Sequence, residues 1–300
     1  MKLSICIPVF NFDVSELISD LQSQINSEKL DAEIILIDDA SDHEFVNINK
    51  SLQAKVSQSI FLDKNIGRSK IRNLFLKYSN SEYLLFLDCD GKVINENFLK
   101  TYFHFINKQN PDVIFGGRKV SEIEPDLEYG LRWKFATERE NLPVSQRLKA
   151  PYLDFQTNNF VVKKSVLEKV PFNEGITQYG YEDLVFSKDL QDHQIKIDHI
   201  DNPIFNNDVE SNILFLSKAD QSAKSLAQLM RSDKNFERVS QIRLAKAYLL
   251  MKKTGIIFIY KLIYKLSKSR IEKKLLTGKA SLKVLDFYKL GQLIGYMNKS

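Results

Sequence analysis

Cysteine is scarce in this chain: 300 residues hold only Cys6 and Cys89, each inside an apolar run. So few thiols exclude a disulfide framework and read as a reduced, intracellular protein. Long apolar runs are missing as well. The longest candidate, Gly255 to Tyr264, is cut by Lys261 and falls short of a membrane span. The amino terminus carries one lysine and an apolar stretch broken by Pro8, too short for a secretory signal. The expectation is a protein made and kept in the cytoplasm. Internal repeats, low-complexity linkers and nucleic-acid reader motifs are also absent, so nucleic acid is not an expected partner. Aromatic residues, at 11%, and hydrophobic residues, at 43%, are plentiful. They suffice for one substantial core and a smaller appendage.

The net charge of +5 is unevenly spread. Residues 241–300 hold 14 Lys/Arg against Glu272 and Asp286, a local balance of +12. The other 240 residues hold 29 basic and 36 acidic side chains, a balance of −7. The two parts therefore face different partners. The basic segment interleaves lysine with Leu, Ile, Phe and Tyr, as in Tyr260-Lys261-Leu262-Ile263-Tyr264-Lys265-Leu266. It reads either as an amphipathic surface for an anionic membrane or as a solvated helical subdomain. The first option would hold the protein peripherally on the inner face of the plasma membrane.

Apolar runs and helical periodicities alternate through the first half. Leu3 to Phe10, Glu33 to Ile37, Ser59 to Leu62, Tyr83 to Leu87 and Val113 to Phe115 have the near-continuous apolar character of strands buried on both faces. Between them, Val14/Leu17/Ile18/Leu21/Ile25, Ile71/Leu74/Phe75/Tyr78 and Phe98/Tyr102/Phe105/Ile106 recur at helical spacing. This alternation predicts an α/β fold with a mostly parallel sheet flanked by helices. Residues 116–156 form a charged excursion with scattered aromatics, and from 211 onward the pattern is helical and lysine-rich. The expected division is 1–210 and 211–300.

Ligands of such sheets bind beyond the carboxyl ends of the strands. Polar signatures sit at those places: Asn11 after the first strand, Asp38-Asp39-Ala40-Ser41 after the second, Asp88-Cys89-Asp90-Gly91 after the fourth. Two aspartates at i and i+2 can share the holding of a divalent cation and a ribose, although an isolated Asp-x-Asp is also a common turn. Asp38 and Asp39 could take a nucleobase imide and the ribose, or simply cap a turn. Asn65-Ile66-Gly67-Arg68-Ser69-Lys70-Ile71-Arg72-Asn73 opens a helix whose amino end and arginines suit a diphosphate. Arg68 and Arg72 are expected opposite that helix's apolar face. Tyr179-Gly180-Tyr181-Glu182-Asp183 adds an acidic cluster behind aromatic residues that can stack on a sugar ring. A carboxylate there could take the proton of an attacking hydroxyl. Two acids in a first helical turn are also favoured by the helix dipole alone.

Taken in order, Pro8-Val9-Phe10-Asn11, the Asp-Asp-Ala-Ser turn, Asn-x-Gly-x-x-x-x-Arg-Asn, Leu-Asp-Cys-Asp-Gly and Gly-Tyr-Glu-Asp resemble the family 2 glycosyltransferases over roughly residues 1–210. The resemblance implies a Rossmann-like GT-A fold with a helical carboxy-terminal extension and transfer with inversion. It implies a nucleotide-sugar donor, UDP above all, and a sugar or lipid-linked glycan acceptor in surface polysaccharide or glycolipid synthesis. It puts Pro8, Asn11, Asp38, Asp39, Asn65, Gly67, Arg72 and Asp88 on the donor. Asp90 is expected on Mn2+ or Mg2+, Asp183 as base, and Glu182 as the residue that orders the acceptor. Asp154-Phe155-Gln156-Thr157-Asn158-Asn159-Phe160 resembles the acceptor-side segment of bacterial members, so Asn158 and Asn159 join Tyr179 and Tyr181 there. The chain departs from the pattern at Asn206, where relatives often have a metal-binding histidine. An amide oxygen can ligate the same hard cations, more weakly. Two alternatives stay open: a nucleotide-sugar-binding protein without turnover, and a nucleotidyltransferase.

Overall fold

A strand buried on both faces needs apolar residues at successive positions, because alternate side chains enter opposite layers. In the computed structural model, which describes residues 2–177, 179–206 and 210–298, β1 (Leu3–Val9) does this. Leu3, Ile5, Ile7 and Val9 enter one core, while Cys6 faces the other. After β1 come α1 (Ser15–Glu28), β2 (Ala32–Asp38), α2 (His43–Lys50), β3 (Gln58–Phe61), α3 (Arg68–Tyr78) and β4 (Tyr83–Leu87). Next are a short β5 (Gly91–Lys92), α4 (Phe98–Gln109), β6 (Val113–Phe115) and a short β7 (Arg118–Lys119). Two small helices, α5 (Gly130–Phe135) and α6 (Val144–Arg147), lead to β8 (Asn159–Lys163), α7 (Lys164–Lys169), α8 (Glu182–Asp192), β9 (Ile197–His199) and β10 (Ile204–Asn206). The remainder is helical: α9 (Asn212–Arg231), α10 (Asp233–Ser240), α11 (Arg243–Thr254), α12 (Ile257–Leu276) and α13 (Leu282–Met297).

Among the described residues a seven-stranded sheet has the order β3-β2-β1-β4-β8-β6-β9. The first four strands are parallel, so the ends of β1, β2 and β4 open on one edge. β8 runs antiparallel to both β4 and β6. One face carries α1 and α4 through Val14, Leu17, Leu21, Phe98 and Tyr102. The other carries Ile71, Phe75, Phe160, Phe172 and Phe186, whose rings stack at 4.0 Å between Phe172 and Phe186. Each fully buried side chain of this size contributes roughly 1.5–3 kcal/mol. A second, three-stranded sheet, β5-β10-β7, lies at the outlet of β4. A Cβ at Gly91 would meet the Ile204 side chain at 2.7 Å, so a larger residue there would force Ile204 to shift.

The chain divides into two units. The first contains residues 1–121, 141–177 and 186–208; the second contains 122–140, 178–185 and 209–300. Residues 122–140 and 178–185, inside the stretch 1–210 that the sequence assigns to one domain, pack instead with the carboxy-terminal helices. The reason is long-range pairing. The Asn212 amide accepts from Leu131 N at 2.9 Å and donates to the carbonyls of Leu127 at 2.7 Å and Leu276 at 3.1 Å. Phe135 meets Phe215 at 5.3 Å, and Arg139 pairs with Asp286 at 3.0 Å. No helix among the described residues is long and apolar enough to cross a membrane.

Candidate active site

The parallel edge of the first unit gathers most of the donor-side residues named from the sequence. Asp38 ends β2 and is fully buried. Its Oδ1 accepts from Ser41 N at 2.8 Å, and its Oδ2 has no protein partner. A buried carboxylate oxygen without a donor is costly, so this atom is poised to accept a hydrogen bond from a bound group. Asp39 does something else. Its two oxygens accept the backbone N–H groups of Ile66 at 2.7 Å and Gly67 at 3.0 Å, which fixes the loop ahead of α3. Gly67 has φ +83° and nothing within 4 Å of a would-be Cβ, so the backbone conformation selects glycine there. Asn65 is exposed beside it.

Asn11, with φ 50°, stitches the outlets of β1 and β2 together. Its Nδ2 donates to Asp42 at 2.9 Å, its Oδ1 accepts from Asp42 N at 2.7 Å, and its backbone N–H donates to Ser41 Oγ at 2.8 Å. Pro8 sits in β1 opposite Ile37 and is partly exposed. The expectation for Arg72 needs correction: it is buried, not opposite the packed face of α3. Its guanidinium pairs with Asp88 Oδ1 at 2.9 Å and lies 5.6 Å from the Phe172 ring. Arg72 therefore orients Asp88 from beneath, and burial on an aromatic surface suits guanidinium better than ammonium. Asp88 N also donates to Asn158 O at 3.0 Å. The Asn158 side chain is nine-tenths buried, and neither its Oδ1 nor its Nδ2 has a protein partner.

Asn159 is a second correction. It is fully buried, and its amide is spent on Tyr102 Oη at 2.7 Å and on the carbonyls of Gly117 and Asn202, each at 2.9 Å. It braces β8 and has no surface left for an acceptor. His199 is structural, as its strand position suggests: its Nε2–H donates to Pro151 O, 3.1 Å away, and the ring stands edge-on to Phe115. Burial, then the Arg147 charge, push its pKa down to about 4.

The second unit holds the remaining candidates. Gly180 at φ 97° and Tyr181 at φ 71° are consecutive left-handed residues immediately before α8. Left-handed backbone at a bulky residue is strained and is held only where the surroundings fix it. Here Ser225 Oγ donates to Gly180 O at 3.2 Å. The turn delivers Glu182, which is buried, and Asp183, which is partly exposed, as the first two residues of α8. Asp183 Oδ1 accepts from Leu184 N at 2.8 Å. Tyr179 lies under Lys218, 5.5 Å from its ring, and Lys218 is ion-paired with Glu210.

The family model for glycosyl transferase family 2 matches residues 4–172 of this chain. The chain belongs to that family. Poly(ribitol-phosphate) beta-glucosyltransferase of Bacillus spizizenii is 32% identical over 144 residues, 43% of this chain and 22% of that enzyme. The chain thus spans about a fifth of the length of the first curated relatives it matches. The structure of Staphylococcus aureus TarS 1–349 in complex with UDP-GlcNAc superposes with a TM-score of 0.53 at 18% identity, covering 99% of this chain and 89% of that one. A mannosyltransferase of Pyrobaculum calidifontis, in complex with GDP-Man and Mn2+, gives 0.57 at 11% identity, covering 98% and 84%. The fold of this chain is accordingly GT-A with a helical carboxy-terminal region.

Whether its residues suit a divalent cation is decided at β5 and β10. Their antiparallel pairing sets Asn206 opposite Gly91, and Asn206 Nδ2 donates to Asp90 Oδ2 at 2.8 Å. The chain thus places the carboxylate and the amide of the sequence motif side by side, and the amide oxygen of Asn206 is a second hard ligand atom. No cluster of three or more His, Cys, Asp or Glu with metal-binding geometry occurs among the described residues. The set fits Mg2+ or Mn2+ bound by one or two carboxylates and completed by substrate phosphates and water. One residue given no role from the sequence also builds the site. Asn73, which closes the Asn-x-Gly-x-x-x-x-Arg-Asn pattern, holds the 172–174 segment through Phe172 O at 2.9 Å, Phe172 N at 2.9 Å and Glu174 at 3.0 Å.

Proposed function

We propose that this chain moves a sugar from a UDP-sugar to an acceptor hydroxyl, with inversion at the anomeric carbon. The observation that carries the donor half is the buried, unpartnered Oδ2 of Asp38 at the strand edge, beside the loop fixed by Asp39. An N–H of a nucleobase such as uracil supplies the hydrogen bond this oxygen lacks. Asp88, oriented by Arg72, and the amino end of α3 suit the ribose and diphosphate. Asp90 and Asn206 would hold the cation, whose chemistry is to neutralise the departing diphosphate as a Lewis acid. Asp183 takes the proton of the attacking hydroxyl, and Glu182 orders the acceptor with Tyr179, Tyr181 and Asn158. UDP is favoured over GDP because TarS, 34% identical over 121 residues, has been solved in complex with UDP-GlcNAc. The acceptor is a hydroxyl of a surface polysaccharide or of a lipid-linked glycan, met at the cytoplasmic face of the plasma membrane. Family membership sets nucleotidyl transfer aside.

The test is calorimetric titration with UDP, GDP and their sugar derivatives, with and without Mn2+, on the wild type and on Asp183→Asn. Metal-enhanced binding of one UDP-sugar is expected in both proteins, with transfer lost only in the variant. Full transfer by Asp183→Asn would overturn the base assignment. A preference for GDP-sugars would overturn the donor.

A further inference from the structure

The carboxy-terminal helix α12 is apolar on two sides, and only one of them is used inside the fold. Tyr260, Tyr264 and Leu275 are buried, with the two tyrosine rings against Phe287 of α13 at 4.7 and 6.0 Å. At about 100° per residue, Phe258, Ile259, Leu262, Ile263 and Leu266 fall on a different arc, nearly opposite the tyrosines. All five are exposed; Phe258 keeps 74% of its surface and Leu266 76%. Leu250 of α11 and Ile256, just before α12, are exposed as well. A stripe of this kind on one face of one helix exceeds the scattered apolar residues of an ordinary surface.

Its borders are cationic. Lys261, Lys265 and Lys268 line one flank of the stripe, and Lys261 lies 5.7 Å from the Phe258 ring. Arg270, Lys273 and Lys274 continue the charge along the last turns. The acids of this region are compensated: Glu272 is 3.8 Å from Lys268, and Asp286 is paired with Arg139. An apolar ridge bordered by six cations, of which Lys268 is paired with Glu272, is complementary to one surface chemistry: acyl chains below anionic headgroups. The same cations interrupt the helix too often for it to cross a bilayer.

We propose that α12 docks this chain on anionic phospholipid bilayers, lying in the interface plane. Phe258, Ile259, Leu262, Ile263 and Leu266 enter the headgroup–acyl boundary, and the lysines sit among the phosphates. The tyrosine side stays packed on α13, so docking needs no unfolding of the helix. Lipid binding is read without any sugar substrate, so its failure and the failure of the transfer reaction are separate results.

The experiment is co-sedimentation of the whole chain with vesicles of phosphatidylcholine alone, or with roughly 30% phosphatidylglycerol, enough to give an anionic surface. Wild type is expected to bind the anionic vesicles and to weaken with salt. Lys261→Gln/Lys265→Gln should lose about twenty-fivefold on anionic vesicles, since each lysine near the surface contributes about fivefold. Leu262→Asp/Leu266→Asp should lose more than about tenfold on them, because two apolar anchors are removed. Leu148→Asp, an exposed leucine of the first unit, should bind as wild type. Circular dichroism and melting confirm that these surface variants fold. Absence of wild-type binding to anionic vesicles, or undiminished binding by Leu262→Asp/Leu266→Asp, overturns the proposal. So does a wild-type dimer in solution that Leu262→Asp splits, because the ridge would then be an interface between copies.

Discussion

Asp38 and Asp39 are neighbours in the sequence, yet their carboxylates have different employments. Asp38 keeps one buried oxygen without a protein donor, whereas Asp39 spends both on backbone N–H groups of the loop before α3. Asp39→Ala should therefore cost stability as well as donor affinity. Loss of two charge-assisted hydrogen bonds corresponds to about 3–6 kcal/mol, readable from the urea midpoint. Asp38→Ala removes one unmet acceptor and one hydrogen bond from Ser41 N, so it should weaken nucleotide binding with a smaller loss of stability than Asp39→Ala. Asp90→Ala should abolish the part of donor affinity that depends on Mn2+; equal affinity in variant and wild type would sink the metal assignment. His199 gives a pH prediction. Its folded pKa, about 4, lies below the unfolded value near 6.5, so the unfolded chain takes up a proton first as pH falls. Stability is complete above pH 6.5 and declines between 6.5 and 4, by up to about 3 kcal/mol from this group. His199→Gln should flatten that decline in melts recorded from pH 7 to 4.5. Residue identities alone could announce two aspartates at a strand end. They could not tell which would be spent on the loop, because Ile66 and Gly67 lie 27 and 28 residues away.

At the scale of elements, the parallel strands were readable because burial on both faces leaves an unbroken apolar run. β4 falls on the expected Tyr83–Leu87, and β6 on Val113–Phe115. β8 was harder to see: it opens with Asn159, whose polarity is absorbed by Tyr102, Gly117 and Asn202 rather than by solvent. Helix α3 misled for the opposite reason. A charged residue four places from another looks exposed, but Arg72 is pulled under the sheet edge by Asp88. Helix α12 hides its architecture as well, since two apolar faces cancel the usual periodicity. The inner face depends on close approach: a Cβ on Gly291 of α13 would stand 2.3 Å from the Tyr264 ring. Gly291→Ala should accordingly force the two helices apart and cost about 1–3 kcal/mol, measured as a lower melting temperature.

For the whole molecule, charge marked the carboxy-terminal part in the sequence, but composition carried no sign that residues 122–140 and 178–185 would join it. Their partners, Asn212, Phe215 and Asp286, lie far along the chain, and contacts of that range leave no local pattern. A fragment ending at residue 210 should in consequence bind a hydrophobic dye strongly and lose the cooperative melt of the full chain; a sharp melt would contradict this. The interleaving also bears on biosynthesis. A ribosome releases residues 122–140 well before α9 and α13 exist, so α5 emerges without the surfaces that will cover Leu131 and Phe135. For that interval an apolar segment is held in waiting between two parts of a nearly complete α/β layer. Synthesis of this chain therefore favours conditions in which residues 211–300 follow promptly, and a translational pause ahead of α9 would be the stage at which aggregation or chaperone capture concentrates.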